Sequence, residues 1–319
     1  MTPAPLRLAP VFVPRIWGAR SLAPLFEDSC QQAIGEVWLS GEACTFLPGP
    51  DAGVLAGRSL GEVWKTLPVE WTGTQLRGSP RIPLLGKFIF SEDKLSVQVH
   101  PEGKTEMWYV IAARDGAEVL VGLEPGVTEK SLRLAVDDGT AERCLTRYRA
   151  HEGDAFFVPA GTVHTIGAGL VLCEIQQHSD ITYRMYDYNR VQADGTRRQL
   201  HLREAMEVAN FGEQKGGRVV PFQTRRGALE SSLLAACPYF ATERWEFSER
   251  IPAETSAESL ELLIMLSGSG RLHWRTRSAQ YECAQAWFLP AGLGPYELAP
   301  ETTTRLIRTY VPDLKGSSQ

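Results

Sequence analysis

The sequence predicts a mainly β protein built from two β-barrel (jelly-roll) units with a few short helices, the second unit being degenerate. Short runs of β-branched and aromatic residues recur along the 319-residue chain, separated by glycine and proline. Residues 95–100 alternate apolar and polar side chains, a period of two that is typical of a strand with one buried face. Many short strands between turn residues favour a sandwich or barrel.

Helical segments are fewer. Residues 59–66 are expected to form a short helix, and residues 128–145 one or two, interrupted near Gly139. Residues 200–209 carry helix formers at helical spacing. The polar stretch 210–218 that follows is expected to connect two domains.

A short internal sequence repeat suggests that a β unit is duplicated. The segment FFVPAG at 156–161 returns as WFLPAG at 287–292. Upstream of each copy a glutamate, Glu106 or Glu261, enters an apolar strand. Two short matches in the same order are the pattern that a repeated unit leaves.

Composition excludes several classes of protein. Lys and Arg number 33 and Asp and Glu 38, a formal net charge of −5, so no nucleic-acid partner is expected. No apolar run reaches the roughly 18 residues of a membrane span, and prolines interrupt the N-terminus, so neither a membrane segment nor a signal peptide is expected. The six cysteines form no CxxC motif, which favours reduced thiols in a cytoplasmic protein.

The densest group of chemically active side chains lies in the first copy. Gln98 and His100 are two residues apart on a strand and share a face. Glu106 begins the next strand, and His164 follows the turn of the FFVPAG segment. Two imidazoles, a carboxylate and an amide oxygen are a standard set for a catalytic divalent cation. Glu102 is nearer to His100 but lies in the turn and is expected to be solvated.

These residues resemble a known superfamily. The segment GDAFFVPAGTVH at 153–164 matches the second half of the cupin signature, and the His100 and Glu106 spacing is similar to its first half. Cupins host many reactions, so this match implies a fold and not a function.

Flanking motifs narrow the resemblance. They occur in order over residues 12–210, and beyond 210 the likeness is weak. The motifs are WG at 17–18, GEVWLS at 35–40, GKF at 86–88, LSVQVHP at 95–101, KTEMWY at 104–109 and EIQQHSDITYRMYDY at 174–188. Together they closely resemble the type I mannose-6-phosphate isomerase family in its short bacterial form.

The resemblance implies the interconversion of mannose 6-phosphate and fructose 6-phosphate through a cis-enediol, with one Zn²⁺ per chain or another divalent metal. The family's zinc ligands match Gln98, His100, Glu106 and His164. Its substrate-pocket residues match Lys87, Lys104, Glu174, Asp180 and Arg184. Only five residues separate His100 from Glu106, where many members carry a longer insertion, so the loop at the pocket mouth is short.

Four of the pocket residues have an expected catalytic role. Arg184 stays charged at working pH and is expected to stabilise the enediolate, with Asp180 orienting it. Glu174 stands inside an apolar run, where a carboxylate needs a partner or a cavity, and is the favoured proton shuttle. Lys104 shares a face with Glu106 and is expected to assist ring opening.

The phosphate is expected to contact Lys87 and Arg190, since the sequence contains no glycine-rich phosphate cradle. A small sugar phosphate is the only expected partner, and the chain is expected to be a monomer or a homodimer.

Two other functions stay open. An iron or manganese oxygenase or decarboxylase commonly uses three histidines and one glutamate, whereas Gln98 replaces one histidine here. A non-catalytic sugar-phosphate-binding cupin would keep the pocket without turnover.

The two copies are expected to form unequal domains. In the second copy Pro295 stands at the position of His164, and no histidine occurs at 253–260 before the glutamate. We therefore expect residues 1–212 to form a catalytic cupin domain with the metal site, and residues 213–319 a degenerate cupin domain without metal.

Overall fold

Two sandwiches of antiparallel sheets make up the computed structural model, which describes residues 2–27, 29–192 and 194–313. The strands of the N-terminal half and of the connection are β1 (Leu6–Leu8), β2 (Val11–Ser21), β3 (Ser29–Trp38), β4 (Leu84–Ser91), β5 (Val97–Val99), β6 (Glu106–Ala113), β7 (Glu118–Leu123), β8 (Leu145–Arg149), β9 (Ala155–Val158), β10 (His164–Ile166), β11 (Leu170–Gln177), β12 (Tyr183–Tyr186) and β13 (Gly217–Val219). The strands that follow are β14 (Phe222–Arg226), β15 (Leu229–Ala236), β16 (Ala241–Phe247), β17 (Ile251–Glu254), β18 (Glu261–Ser267), β19 (Gly270–Trp274), β20 (Arg277–Tyr281), β21 (Ala286–Leu289), β22 (Pro295–Pro300) and β23 (Thr304–Tyr310).

The α-helices are short, and all but the one at Val69–Thr72 lie within the predicted segments. The α-helices are α1 (Leu60–Val63), α2 (Val69–Thr72), α3 (Glu129–Asp137) and α4 (Leu202–Val208). Single 3₁₀ turns occur at Gly53–Leu55, Trp64–Thr66, Thr74–Leu76, Ala141–Cys144 and Ala291–Leu293. Within the described residues, no helix combines the length and the apolar character that a membrane span requires.

Each unit consists of two open sheets. In the first unit a seven-stranded sheet has the order β13-β9-β6-β11-β4-β3-β2, and a five-stranded sheet has the order β12-β5-β10-β7-β8. In the second unit the orders are β1-β21-β18-β23-β16-β15-β14 and β17-β22-β19-β20. The prediction of a mainly β protein with two jelly-roll units and few helices is confirmed.

One strand crosses between the units at each end. The N-terminal strand β1 joins the second unit, where Leu6 lies opposite Phe288. Strand β13, which follows residue 212, joins the first unit, where Gly217 lies opposite Phe157. The division at residue 212 stays a prediction, and these two exchanged strands tie the units together across it.

The seven-stranded sheet of the first unit has two different faces because side chains alternate along each strand. Met107 and Tyr109 of β6 point into the core that is shared with the second unit, which contributes Phe288. Trp108 and its alternate neighbours point to the interior of the first unit. The sheet therefore packs on the second unit with one face and leaves the other for the site.

The same pairing register occurs in both units. Glu106 at the start of β6 lies opposite Val158, the last residue of β9. Glu261 at the start of β18 lies opposite Leu289, the last residue of β21. The two copies of the sequence repeat thus occupy matching places in the two sheets, which supports their interpretation as a duplication.

The second unit neutralises its glutamate internally. Two residues beyond the paired glutamates, Trp108 lies opposite Glu174 and Leu263 lies opposite Arg308. Arg308 Nε donates to Glu261 Oε2 at 2.8 Å, and the Glu261 side chain is only 2% exposed. An arginine therefore stands where the first unit has a carboxylate, and its charge balances the buried glutamate.

Replacing Arg308 with methionine is expected to lower the free energy of unfolding by about 3 kcal/mol, because Glu261 would stay buried without a counter-charge. Urea unfolding followed by circular dichroism measures the loss. The matched control is Arg133→Met on α3, which removes an exposed guanidinium paired with Glu129 and should cost less than about 0.5 kcal/mol. Equal losses in the two variants would contradict the assigned role of Arg308.

Candidate active site

A row of side chains crosses the five-stranded sheet of the first unit. Gln98 on β5 lies opposite His164 on β10 and opposite Arg184 on β12. Residues directly opposite each other in an antiparallel pair share a face of the sheet. The row therefore presents an amide, an imidazole and a guanidinium to the same side.

A second row crosses the seven-stranded sheet. Glu174 on β11 lies between Trp108 on β6 and Lys87 on β4. Glu106 precedes Trp108 by two residues and so shares its face. The two rows contact each other, since the His164 and Trp108 ring centroids are 5.5 Å apart. The site thus lies between the two sheets.

Two imidazoles and one carboxylate converge at one place. His100 Nε2 lies 3.2 Å from Glu106 Oε1, and His164 Nε2 lies 3.9 Å from Glu106 Oε2. All three side chains are at most 2% exposed, and their ligand atoms lie within 4.8 Å of one another. The structure therefore brings together three of the four predicted ligands. Glu102 is exposed, as expected for a turn residue.

Backbone carbonyls fix the orientation of both imidazoles. His100 Nδ1 lies 3.0 Å from the Ile181 carbonyl oxygen, and His164 Nδ1 lies 2.8 Å from that of Thr162. A carbonyl only accepts, so each Nδ1 carries the proton and each Nε2 offers a lone pair. Among the described residues, His100 Nε2 has no hydrogen-bond partner although it is buried. Lone pairs that face a carboxylate without a proton between them fit a cation at this place.

The protonation states also fit a cation. Burial lowers the pKa of His100 to about 3 and lowers the pKa of His164, so both imidazoles are neutral near pH 7. Burial raises the pKa of Glu106, but the Lys104 ammonium opposes this, and that pKa lies well below its usual range. Neutral imidazoles and an ionised carboxylate are the forms that bind a metal.

Gln98 lies beside this cluster with its amide nitrogen turned inward. Gln98 Nε2 lies 3.2 Å from His164 Nε2, and Gln98 Oε1 accepts from the Ser96 hydroxyl at 3.2 Å. Rotating the side-chain amide by 180° exchanges its oxygen and nitrogen, which are nearly equal in size. The side chain is therefore in reach of the cluster, and the predicted ligand is its oxygen.

Lys104 lies beside the cluster of two imidazoles and a carboxylate. Its Nζ lies 3.5 Å from Glu106 Oε1 and donates to the Thr182 hydroxyl at 3.3 Å. Burial lowers the pKa of Lys104, and the nearby carboxylates only partly oppose this. A buried amine of this kind exchanges protons more easily than one in water.

Glu174 is held next to the cluster by two donors. Lys87 Nζ lies 2.8 Å from Glu174 Oε1, and Trp108 Nε1 donates to Glu174 Oε2 at 3.0 Å. Burial and the charge of Glu106 raise the pKa of Glu174 to about 7. Burial alone would lower the pKa of Lys87. The surrounding carboxylates raise this pKa by more than burial lowers it, so the pKa lies above its ordinary value and the amine stays charged.

A cavity of about 590 Å³ opens onto this cluster, which is within the range of small-molecule sites. Of the predicted site residues, those that line it are Lys87, Gln98, Lys104, Glu106, Glu174, Asp180 and Arg184. Side chains without an assigned role in the sequence analysis also line it, among them Arg15, Glu36, Trp108, Thr182 and Arg198.

Two expectations from the sequence do not match the structure. One is that Asp180 contacts Arg184, and the other is that Arg190 lies in the substrate cavity. Asp180 is exposed, and Arg184 Nη1 donates to the Gln199 carbonyl at 3.0 Å, so among the described residues Arg184 takes this partner and not Asp180. Arg190 does not line the cavity, because its guanidinium binds the Asp187 and Asp93 carboxylates.

The residues without an assigned role come from segments far apart in sequence. Arg15 lies on β2, Glu36 on β3 and Arg198 just before α4. Glu36, Trp108 and Thr182 lie in motifs that the sequence analysis quoted, whereas Arg15 and Arg198 lie in none of them. Arg15 and Arg198 resemble ordinary surface arginines until the strand order brings them to the cavity.

The paired jelly rolls and the buried cluster of two imidazoles and a carboxylate define a cupin with a candidate metal centre. Two curated relatives match nearly the whole chain. Mannose-6-phosphate isomerase ManA of Bacillus subtilis (strain 168) is 33% identical over 310 residues, which cover 93% of this chain and 96% of the relative. Mannose-6-phosphate isomerase of Streptococcus mutans is 33% identical over 283 residues, with 84% and 86% covered.

Solved structures agree with this. The mannose 6-phosphate isomerase from Bacillus subtilis has a TM-score of 0.85 at 28% identity and covers 96% of this chain and 99% of that one. A zinc-bound mannose 6-phosphate isomerase has a TM-score of 0.78 at 14% identity over 97% and 100%, a likeness of fold alone. No family model matches the chain. The chain belongs to the mannose-6-phosphate isomerase family, so the predicted family and enzyme class are confirmed.

Purified protein is expected to retain one divalent ion per chain, because the ligand cluster occurs in the first unit while Arg308 takes up the matching charge in the second. His164→Ala should lower the retained metal to well below one ion, since it removes a ligand. Elemental analysis after dialysis measures both. His151→Ala, which changes an exposed histidine, is the control. Two tightly bound ions per chain would refute the assignment.

Proposed function

We propose that this chain interconverts mannose 6-phosphate and fructose 6-phosphate in the cavity of its first unit. The observation that carries the proposal is the convergence of His100, Glu106 and His164 at one end of a cavity lined by lysines and arginines. We propose zinc as the ion and Gln98 as its fourth protein ligand. The neutral nitrogen and carboxylate donors support zinc, and one solved structure of similar fold is described as zinc-bound.

The reaction moves a proton between C1 and C2 of the open-chain sugar through a cis-enediol. The barrier is the negative charge that develops on the two oxygens. A divalent cation, when bound, supplies Lewis-acid stabilisation of such charge. The remaining tasks are to open the ring, to move the proton and to balance charge, and they fall to side chains of the cavity.

Glu174 is the proposed proton shuttle. A general acid or base works best when its pKa is close to the working pH, and burial together with Glu106 raises that of Glu174 to about 7. Lys87 and Trp108 hold its two oxygens, which keeps the carboxylate in one orientation. The family resemblance alone does not identify the base, and these contacts support Glu174 in that role.

Arg184 and Lys104 are the proposed electrostatic partners. Arg184 stays charged, and its buried Nε has no hydrogen-bond partner among the described residues, so it is free for an oxygen of the substrate. Lys104, with its pKa lowered by burial, is placed between Glu106 and Thr182 and is the proposed group for ring opening. Asp180 is proposed to orient Arg184 when substrate is present.

A coupled assay with and without a chelator tests the proposed function. Chelator is expected to remove most of the isomerase activity, and zinc should restore it, because the cation stabilises the charge of the enediolate. Activity that survives complete metal removal would contradict a metal-dependent isomerase. Tightly bound iron with oxygen consumption would favour the oxygenase, and no turnover by fully loaded protein would favour a binding protein.

Two variants test the catalytic residues. Arg184→Ala should keep the metal and lose about 10²–10³ in kcat, since a donor to the developing charge is lost. Glu174→Gln should keep the metal and lose about 10²–10⁴, since the amide cannot carry the proton. Steady-state kinetics and metal analysis on the same samples provide the readouts. Metal loss from Arg184→Ala would place that residue in the structure of the site instead.

The cytoplasmic location, the monomeric or dimeric state and the separate domain at 213–319 remain predictions from the sequence.

A further inference from the structure

Three guanidinium groups line the cavity, and they belong to Arg15, Arg184 and Arg198. Arg184 lies on β12, the edge of the five-stranded sheet, and Arg15 lies on β2, the edge of the seven-stranded sheet. In the first sheet the order β10, β5, β12 leads from His164 to Arg184. In the second the order β6, β11, β4, β3, β2 leads from Glu106 to Arg15. In both sheets the strand order thus leads from the side chains of the candidate metal site towards the arginines.

These arginines are close enough to repel one another. Burial lowers the pKa of Arg184, and the charges of Arg198, Arg190 and Arg15 lower it further, while Asp187 partly opposes this. No carboxylate oxygen in the described part of the chain lies within 4.0 Å of the Arg184 guanidinium. Arg15 and Arg198 have carboxylate partners, whereas Arg184 has none among the described residues, so an anion that enters the cavity finds a guanidinium without a counter-charge. A guanidinium group can donate two parallel hydrogen bonds to two oxygens of a phosphate, so a phosphate is the anion that suits these arginines.

Arg15 and Arg198 are each held in place from behind. Glu36 accepts from Arg15 Nη2 at 3.0 Å and from Arg15 Nε at 3.3 Å. Asp187 accepts from Arg198 Nε at 2.8 Å and is bonded to Arg198 Nη2 as well. These carboxylates fix the two guanidinium groups at the wall of the cavity, an arrangement that lowers the entropy lost when a ligand binds.

The two residues that the sequence favoured for the phosphate are placed differently from Arg15 and Arg198. Lys87 lies in the middle of the strand series with its ammonium 2.8 Å from Glu174. Arg190 is engaged with Asp187 and Asp93 and does not line the cavity.

We propose that Arg15 and Arg198 form the phosphate subsite of the cavity, opposite the metal cluster. This inference rests on the proposed function, since it assigns the anionic end of the same substrate. The sugar then lies along the cavity, with its reacting carbons near His100 and its phosphate between the two arginines. Arg184 lines the same cavity and keeps its proposed role towards the reacting oxygens.

Kinetics of Arg15→Gln and Arg198→Gln test the subsite. Each variant should raise KM for mannose 6-phosphate at least about tenfold and change kcat by less than about threefold, because the phosphate contact is equally strong in the ground state and the transition state. Arg15→Lys and Arg198→Lys should recover part of the loss because they keep the charge. Arg133→Gln on the exposed surface of α3 is the matched control and should behave as wild type. Unchanged KM in both glutamine variants, or a fall in kcat alone, would overturn the subsite.

Calorimetric titration of the metal-loaded protein with inorganic phosphate separates this inference from the proposed function. Wild type should bind phosphate, and the two glutamine variants should bind it at least about tenfold more weakly, a loss of about 1.4 kcal/mol. If wild type lacks isomerase activity but still binds phosphate through these arginines, the function fails and the subsite stands. If wild type isomerises the sugar and the variants bind phosphate as wild type does, the subsite fails and the function stands.

Discussion

A buried carboxylate between two neutral imidazoles is the interaction on which the rest of the first unit depends. Glu106 faces the Nε2 lone pairs of His100 and His164, and backbone carbonyls hold the protons of both rings on Nδ1. Such a cluster is stable only with a cation among its atoms or close behind it, since a buried charge without a partner is costly. Lys104 supplies part of that charge, and a metal would supply the rest. The cluster forms only if two sheets meet in one register.

The second unit shows a different answer to the same constraint. Its sheet repeats the register that places a glutamate at the start of the central strand, and Glu261 is as deeply buried as Glu106. There Arg308 provides the cation from within the chain, and Tyr296 donates to the carboxylate at 3.3 Å. A guanidinium that belongs to the chain balances this carboxylate without a metal. This difference supports the proposal that the first unit carries the chemistry and that the second is its packing partner.

The fold and the ligand cluster could be predicted from sequence because their signals are local. A period of two places Gln98 and His100 on one face, and the turn before His164 belongs to a short continuous motif. Arg15 and Arg198 could not be found in this way, since the order of strands across two sheets sets their neighbours. The same limit applies to Arg190, whose spacing from Arg184 says nothing of the carboxylates that hold it outside the cavity. The exchanged strands β1 and β13 are likewise set by pairing over long distances in sequence.

Under the proposed function and phosphate subsite, the two ends of the cavity face two kinds of negative charge. A phosphate carries its charge throughout the reaction, so cations that hold it bind the substrate and the transition state equally. The charge on the enediolate oxygens appears only as the proton moves, so cations near His100 act on the rate. Between these ends Lys87 stays charged and Glu174 titrates near neutrality, which keeps a proton available while the permanent charge of the phosphate stays distant. Separating the binding charge from the reacting charge allows Glu174 to titrate under the control of its own neighbours, Lys87 and Glu106.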